Sequence, residues 1–321
     1  MKPKKEWDMS KQYNTLILIT PKDFTRLCHL YPYMLKYLPV KRLWFVGSKE
    51  LEPLVDAWRE KFGISKEAAG WLDEDSLVPF DAVRDIIRDI FPGAEVARGF
   101  VGWYYQQFLK MSYALHTKDE YYLVWDGDTI PVRPIAMQAP DGVAYFDTKT
   151  EYYEPYFISM RALFSGMDKC IQTSFISEHM LIKSEYMREM LQVLTENPAL
   201  LGTSFYERIL RGIGNPRLNE ASFSEFETFG TFVVKKYPES YRLRKWMSFR
   251  NAGQYFDPNT ITESDITWLG KDFSAISFEK GHTVEPGAEF FQNKEYQAKL
   301  SAAQILAIVQ EEMTEGYRED L

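Results

Sequence analysis

The sequence predicts an α/β fold, a mostly parallel sheet flanked by helices and followed by a helical tail. Three observations at the start of the chain predict it. Thr15-Leu-Ile-Leu-Ile-Thr20 is a short apolar run stopped by Pro21, the mark of a buried strand. Asp23 to Leu38 carries apolar residues at helical spacing, with Pro32 breaking the pattern near its middle. Arg42 to Val46 is a second strand, stopped by Gly47-Ser48. Strand, helix, strand in this order is a β-α-β unit, which requires a parallel pair and a crossover.

The later elements continue the pattern. Leu51 to Phe62 and Ala82 to Ile90 read as amphipathic helices. Gly102 opens a helix that runs to about His116, and Tyr121 to Trp125 is a third strand. Gly142 to Phe146 is a fourth strand, and Ser274 to Phe278 is a short strand late in the chain. Glu185 to Glu196, Ser204 to Leu210 and Glu225 to Lys236 are helical. Lys294 to Glu315 is the final helix, with Leu300, Ile305, Leu306 and Val309 as an apolar stripe that has to be buried. The stripe fits packing on the main domain, a homodimer contact or a peripheral membrane contact. The acid-rich run from Glu311 to Asp320 argues against anionic lipid.

Composition narrows the function. The 321 residues carry 38 Lys plus Arg against 46 Asp plus Glu, a formal charge of −8, which leaves no electrostatic footprint for nucleic acid. Aromatics reach 16%, with 20 Tyr and 8 Trp, side chains that also line sites for sugars and bases. Two cysteines, Cys28 and Cys170, argue against a disulfide framework. No apolar h-region follows Lys2, Lys4 and Lys5, and the apolar runs are too short to span a bilayer. The expectation is a cytoplasmic enzyme.

The most informative stretch is Val124-Trp-Asp126-Gly-Asp128-Thr-Ile-Pro131. Two carboxylates flank a glycine immediately after a strand, where open α/β sheets bind ligands. Acids this close repel unless a cation sits between them, and a hard divalent ion shared with substrate phosphates is the natural partner. A surface Asp-Gly turn is the plainer account of two acids alone. The strand before them and Pro131-Val-Arg-Pro134 after them favour the metal. In the preceding helix Trp103, Gln106 and Lys110 share one face, with Gln107 on the next, and these amides and the lysine suit hydroxyls and phosphate oxygens. A solvated amphipathic face is the simpler reading of the two glutamines alone.

The order strand, helix, strand, then GWYYQQFLKM, then YYLVWDGDTIPVRP, resembles the GT-A glycosyltransferases. It is similar in particular to the bacterial glycosyltransferase-like family DUF6492. ISEHML (Ile176 to Leu181) and FSEFETFG (Phe223 to Gly230) are also similar to that family, so the resemblance runs from Thr15 to Phe278. It implies a GT-A-like, Rossmann-like mixed sheet, with a catalytic domain over 1–285 and a helical tail over 286–321. It also implies a nucleotide-sugar donor, UDP-linked, a bound Mn2+ or Mg2+, and a glycan or glycolipid acceptor in bacterial surface polysaccharide synthesis. Asp126 and Asp128 match the family's acid pair. Thr20, Pro21 and Asp23 match the loop that touches the nucleotide base or ribose. His282 would be a third metal ligand, although no further family signature surrounds it and a surface histidine is the simpler account.

Glycosyl transfer builds negative charge on the leaving diphosphate, which Lys110 beside a divalent ion would help to carry. With inversion a carboxylate must take the acceptor proton. Glu225 and Glu227 stand in the first turn of a helix after Ser222 and Ser224, where the dipole stabilises acids and gives both a plain capping account. The resemblance points to Glu225 as the base, with Glu227 second. His179 touches either the donor or acceptor sugar or the core. Two other readings stay open. Asp126-Gly-Asp128-Thr-Ile130 also looks like the strand-end motif of haloacid-dehalogenase-type phosphatases, with Asp126 as nucleophile and Asp128 as acid/base. A non-catalytic sugar-binding protein would use the aromatics and leave the paired acids unexplained.

Overall fold

The computed structural model describes residues 11–93, 96–214 and 217–307. β1 (Tyr13–Leu18) opens the chain with Leu16 and Ile17 fully buried. The Thr20 hydroxyl then caps α1 (Pro21–Leu27) by accepting from the Asp23 N–H, with Pro21 at the helix start. The single helix expected over Asp23 to Leu38 is two. Proline has no N–H with which to continue α1, so a 3-10 turn at Cys28–Leu30 intervenes and Pro32 starts α2 (Pro32–Tyr37). β2 (Val40–Gly47) and α3 (Leu51–Phe62) follow, the helix ending on Gly63 at φ 64.

β3 (Ala69–Asp73) extends the sheet by a strand that sequence reading misses, because AGWLD is short and has no β-branched residue. After α4 (Phe80–Ile90) comes α5 (Arg98–His116), which starts before Gly102 because Gly99 and Gly102 both sit in open space and tolerate a helical backbone. It leads into β4 (Tyr121–Asp126) and β5 (Thr129–Pro131). The remaining elements are β6 (Ala144–Thr148), α6 (Glu154–Leu163), β7 (His179–Lys183), α7 (Ser184–Glu196), α8 (Phe205–Ile213), α9 (Glu225–Lys236), β8 (Tyr241–Lys245), β9 (Ser248–Phe249), α10 (Glu263–Leu269), β10 (Ala275–Ser277), α11 (Glu289–Gln292) and α12 (Lys294–Lys299).

The main sheet has the order β3-β2-β1-β4-β7. β1, β2, β3 and β4 are parallel, and β7 is antiparallel to β4. This is the mixed, mostly parallel α/β sheet expected from the sequence. The strand expected at Gly142 to Phe146 lies outside it, since β6 pairs with β8 in a separate two-stranded ladder. β5, β10 and β9 form a third small sheet. Phe24, Tyr31, Phe45 and Trp58 pack edge-on or tilted against one another in the core. Helix α5 packs on α4, α7 and α9. Among the described residues no helix is long and apolar enough to cross a membrane.

The expected helix from Lys294 to Glu315 is broken. Leu300 turns extended at φ −121 and ψ 146, ending α12, and a second helical segment covers 302–307. The break lets the stripe reach this chain's own core instead of a lipid or a second copy. Ala302 and Ile305 are buried, Leu300 and Leu306 pack against the core, and Trp268 Nε1 donates to the Leu300 carbonyl at 2.9 Å. Val309 and the acid-rich run after it lie outside the described residues.

Helix α9 approaches the 174–175 segment so closely that only glycine fits at position 230. A Cβ there would lie 2.3 Å from Phe175 Cγ. Gly→Ala inside a helix ordinarily gains about 1 kcal/mol. Here overpacking reverses the sign, and Gly230→Ala should lose about 1–3 kcal/mol in denaturant unfolding. A gain would show that the ring yields freely.

Candidate active site

Because Leu18 sits opposite Asp126 in the β1–β4 register, the two strands end together. The loop from Thr20 and the Asp126-Gly127-Asp128 turn therefore emerge side by side at the carboxyl edge of the sheet. Gly127 makes this possible, since a Cβ there would lie 2.7 Å from Ile19 Cδ1 and 2.9 Å from the Leu18 carbonyl oxygen. The turn is held from several directions. Tyr31 Oη donates to the Gly127 carbonyl at 3.0 Å, Trp125 Nε1 to the Thr129 carbonyl at 2.7 Å, and the Phe278 N–H to the Asp128 carbonyl at 2.8 Å. Arg26 joins Asp23 at 3.3 Å to the Phe278 carbonyl at 2.9 Å, linking α1 to the end of β10.

Behind the turn lies a buried ionic bridge. Lys110 Nζ stands 2.8 Å from Asp126 Oδ1 and 2.8 Å from Glu225 Oε1. The lysine and Glu225 side chains are only 6% and 5% exposed, while Asp126 keeps 32% and so faces the open side. Burial alone would lower the lysine's pKa. The two carboxylates outweigh it and hold the ammonium above its ordinary value. The ammonium also lies 4.5 Å from the centre of the Phe226 ring. Gln107 completes the joint between α5 and α9, its Oε1 accepting from the Glu225 N–H at 3.0 Å and its Nε2 donating to the Trp103 carbonyl at 3.1 Å.

Of the face expected on α5, the structure thus brings Lys110 to Asp126. It turns Gln107 inward, where both ends of its amide are used, so Gln107 is not open to a ligand. Gln106 is half-buried and Trp103 is exposed. The Asp128 carboxyl is pushed up to about 6, first by burial and then by Asp126 and Glu279. Among the described residues it has no ion-pair partner, and its only side-chain hydrogen bond is a 3.4 Å contact from the Thr129 hydroxyl.

Glu178 belongs to the site and was not expected there. Its backbone is left-handed at φ 59, unusual for a non-glycine residue. Its carbonyl accepts from the Asp126 N–H at 2.8 Å. Its buried carboxylate accepts from Lys149 Nζ at 2.6 Å, Trp246 Nε1 at 2.6 Å and Ser248 Oγ at 3.1 Å. Those bonds over-determine a conformation that costs about 1–3 kcal/mol. Nearby Arg250 pairs with Glu279 at 2.8 Å and lies 3.6 Å from Glu151. A residue type forced into a left-handed turn leaves no periodic mark in the sequence.

Several expected residues take other places. His179 is a core histidine, 2% exposed, with Nδ1 2.8 Å from the Ser177 carbonyl and Nε2 2.9 Å from Asp147 Oδ2. Its ring lies against Trp125 and Trp246, and Arg244 binds the far side of Asp147, so no ring nitrogen is left for a sugar. Glu227 is 1% exposed and holds the Ser174 hydroxyl at 2.6 Å and the Phe175 N–H at 3.0 Å, pinning that segment to α9. Glu225 is buried with its carboxylate on Lys110, 2.8 Å from the ammonium. His282 is not brought to the two aspartates. It packs on Gly253, and its Nε2 is 4.0 Å from Glu279. Among the described residues no three His, Cys, Asp or Glu side chains converge as a metal-holding group.

The donor set at the turn nevertheless fits a divalent cation. Asp126 and Asp128 repel each other, and Glu279 adds to the repulsion. Lys110 neutralises one oxygen of Asp126 from behind and leaves Asp128 uncompensated. Such a pair suits a hard ion whose remaining ligands are water and substrate oxygens.

The bridge has a measurable signature. Lys110→Met strands two inward carboxylates and should cost about 3–5 kcal/mol in denaturant unfolding. Adding Glu225→Gln should return part of that loss, so the double variant loses less than the sum of the singles. Strict additivity would mean that the two side chains do not share a charge.

Solved structures with related coordinates include the apo form of mouse xyloside xylosyltransferase 1, at 14% identity over 86% of this chain and 100% of that one, with a TM-score of 0.47. They also include the galactosyltransferase LgtC in complex with donor and acceptor sugar analogues, at 12% identity over 89% and 100%, with a TM-score of 0.41. A third is the glycosyltransferase GlyE of Streptococcus pneumoniae TIGR4, at 9% identity over 94% and 64%, with a TM-score of 0.37. No curated protein is significantly similar to the sequence. Residues 54–311 match the model of a family of unknown function, DUF6492. That match spans both acids of the turn, Lys110, Glu178 and Glu225, and the chain belongs to the DUF6492 family.

Proposed function

We propose that the protein is a metal-dependent glycosyltransferase of GT-A type. In this reading it moves a sugar from a nucleotide-sugar donor, UDP-linked, to a glycan or glycolipid acceptor. The observation that carries the reading is the Asp126-Gly127-Asp128 turn at the carboxyl end of β4, backed by buried Lys110 and flanked by the Thr20 loop. Ligands of open α/β sheets bind at that edge. The sequence resemblance supports the finer parts, including Mn2+ or Mg2+ as the ion, a role in bacterial surface polysaccharide synthesis and a cytoplasmic site of action.

Asp126 and Asp128 would hold the ion against the donor diphosphate. When bound, the ion supplies Lewis-acid stabilisation of the charge that grows on the leaving phosphate. The chain's own residues do the rest. Lys110 fixes one oxygen of Asp126, so the other faces outward. Thr20, Pro21 and Asp23, at the end of β1, border the nucleoside. Glu225 acts through Lys110 as a positioning residue, which departs from the base expected at that position. Glu227 holds the 174–175 segment.

UDP with Mn2+ should raise the melting temperature of the wild type, by a stabilisation of about 2.7 kcal/mol at a hundred times Kd. Asp128→Ala should remain folded, with a basal melting temperature no lower than wild type at neutral pH, and lose the metal-dependent part of the shift. An Asp128→Ala protein that still binds UDP tightly and metal-dependently would overturn the assignment. Hydrolysis of small phosphomonoesters without any nucleotide shift would favour the phosphatase reading instead.

The raised Asp128 carboxyl sets the pH dependence. The folded protein holds this proton more tightly than the unfolded chain, whose group titrates near 3.8. The group's contribution to ligand-free stability is therefore greatest at low pH and is lost as pH rises toward about 6. The Mn2+-dependent shift should change in the opposite sense, growing as pH rises through about 6. Asp128→Asn should flatten both profiles. A Mn2+ shift that is constant from pH 5 to 8, a range set roughly around that value, would contradict the role of Asp128.

A further inference from the structure

A short strap runs beside the candidate site from Lys149 to Tyr153. It starts at Lys149, which exchanges backbone hydrogen bonds with Ser174 at 3.1 and 2.8 Å. Lys149 Nζ also reaches Glu178 at 2.6 Å and Ser248 at 3.0 Å, beside the Asp126 strand end. Glu151 follows, 3.6 Å from Arg250. The strap ends at Tyr153, whose hydroxyl donates to the Glu220 carbonyl at 2.8 Å, just ahead of α9 and Glu225. The strap therefore joins the Glu178 wall of the site to the Glu225 wall.

Two adjacent aromatic rings stand out from this strap. Tyr152 is 61% exposed and Tyr153 is 38% exposed. Single exposed aromatics are ordinary on a protein surface. These two are braced. Tyr152 stacks on Phe157 at 5.4 Å with its hydroxyl on Glu154, and Tyr153 meets Tyr156 edge-on at 4.9 Å. A rigid aromatic platform loses little entropy when it binds. Glu151 and Arg250 beside it offer an acceptor and donors for hydroxyl groups.

We propose that the Lys149–Tyr153 strap is the acceptor subsite, and that Tyr152 and Tyr153 bind a carbohydrate chain. A pyranose presents an apolar C–H face to an aromatic ring and hydroxyls to charged neighbours, which is the pairing of chemistry the strap displays. The nucleoside is assigned to the opposite side, where Thr20 leaves β1, so the strap is left for the acceptor. The proposal rests on the transferase reading and adds to it the residues and chemistry of acceptor binding.

The test uses the full chain with Mn2+ and UDP, and a panel of immobilised hexose and hexosamine oligosaccharides. Wild type should bind members of the panel. Tyr152→Ala and Tyr153→Ala should each weaken that binding by roughly tenfold, and Tyr152→Phe should restore it, since the ring and not the hydroxyl faces the sugar. The UDP–Mn2+ thermal shift should stay at its wild-type value in all three, and the basal melting temperature should stay there in both Tyr152 variants. A wild type that binds no member of the panel, or alanine variants that bind as well as wild type, would overturn the subsite. Absence of a UDP–Mn2+ shift in wild type would overturn the donor reading instead, and the glycan arm would still judge the subsite.

Discussion

A lysine ammonium with 6% of its side chain left to water must receive its counter-charge from the protein. Lys110 receives it from two elements at once, Asp126 at the end of β4 and Glu225 at the start of α9. Satisfying that one charge sets the relative position of α5, β4 and α9. It also divides Asp126 into two working halves, one oxygen committed to the interior and the other facing the open edge of the sheet. Desolvating three charges is expensive, and the hydrogen bond between Gln107 and the Glu225 N–H helps make the geometry good enough to offset it.

The rest of the site reads as a charge balance around that bridge. Lys149 compensates Glu178, and Arg250 compensates Glu279. Asp128 is left over, its carboxyl raised by burial and by its acidic neighbours. The protein therefore carries at its sheet edge an acid that it has not neutralised, beside one that it has half neutralised. In the proposed function a divalent ion bound with an anionic substrate would resolve this imbalance. The backbone agrees with the electrostatics, since the left-handed Glu178 bonds the Asp126 N–H and Tyr31 bonds the Gly127 carbonyl, holding the turn from both sides.

Much of this was legible in the sequence where a local pattern caused it. The apolar runs of β1, β2 and β4 and the amphipathic spacing of α3 and α4 announce themselves, because burial on one face requires that spacing. The acid–glycine–acid turn was legible for the same reason, since a strand end and a glycine are local facts. What escaped depends on partners distant along the chain. β3 is too short, and too poor in β-branched residues, to signal a strand, and β6 left the main sheet because β8 offered it a ladder. Glu225 looked like a first-turn acid free for chemistry, and only the fold shows Lys110 behind it. His179 looked available until Asp147 and the Ser177 carbonyl occupied both ring nitrogens. The tail stripe was read correctly as needing burial, while the break at Leu300 that brings it to the core had no periodic cue.

The proposed function centres on an acid pair at the edge of β4, gripped from behind by Lys110, with its open side where a metal-bound diphosphate would sit. A crystal structure of the full chain with Mn2+ and UDP examines it most directly. The account predicts manganese on the outward oxygen of Asp126 and on Asp128, the diphosphate across it, the uridine against the Thr20 loop, and Lys110 still joined to Glu225. Nucleotide bound at the other edge of the sheet, or manganese held by residues remote from Asp126 and Asp128, would contradict it.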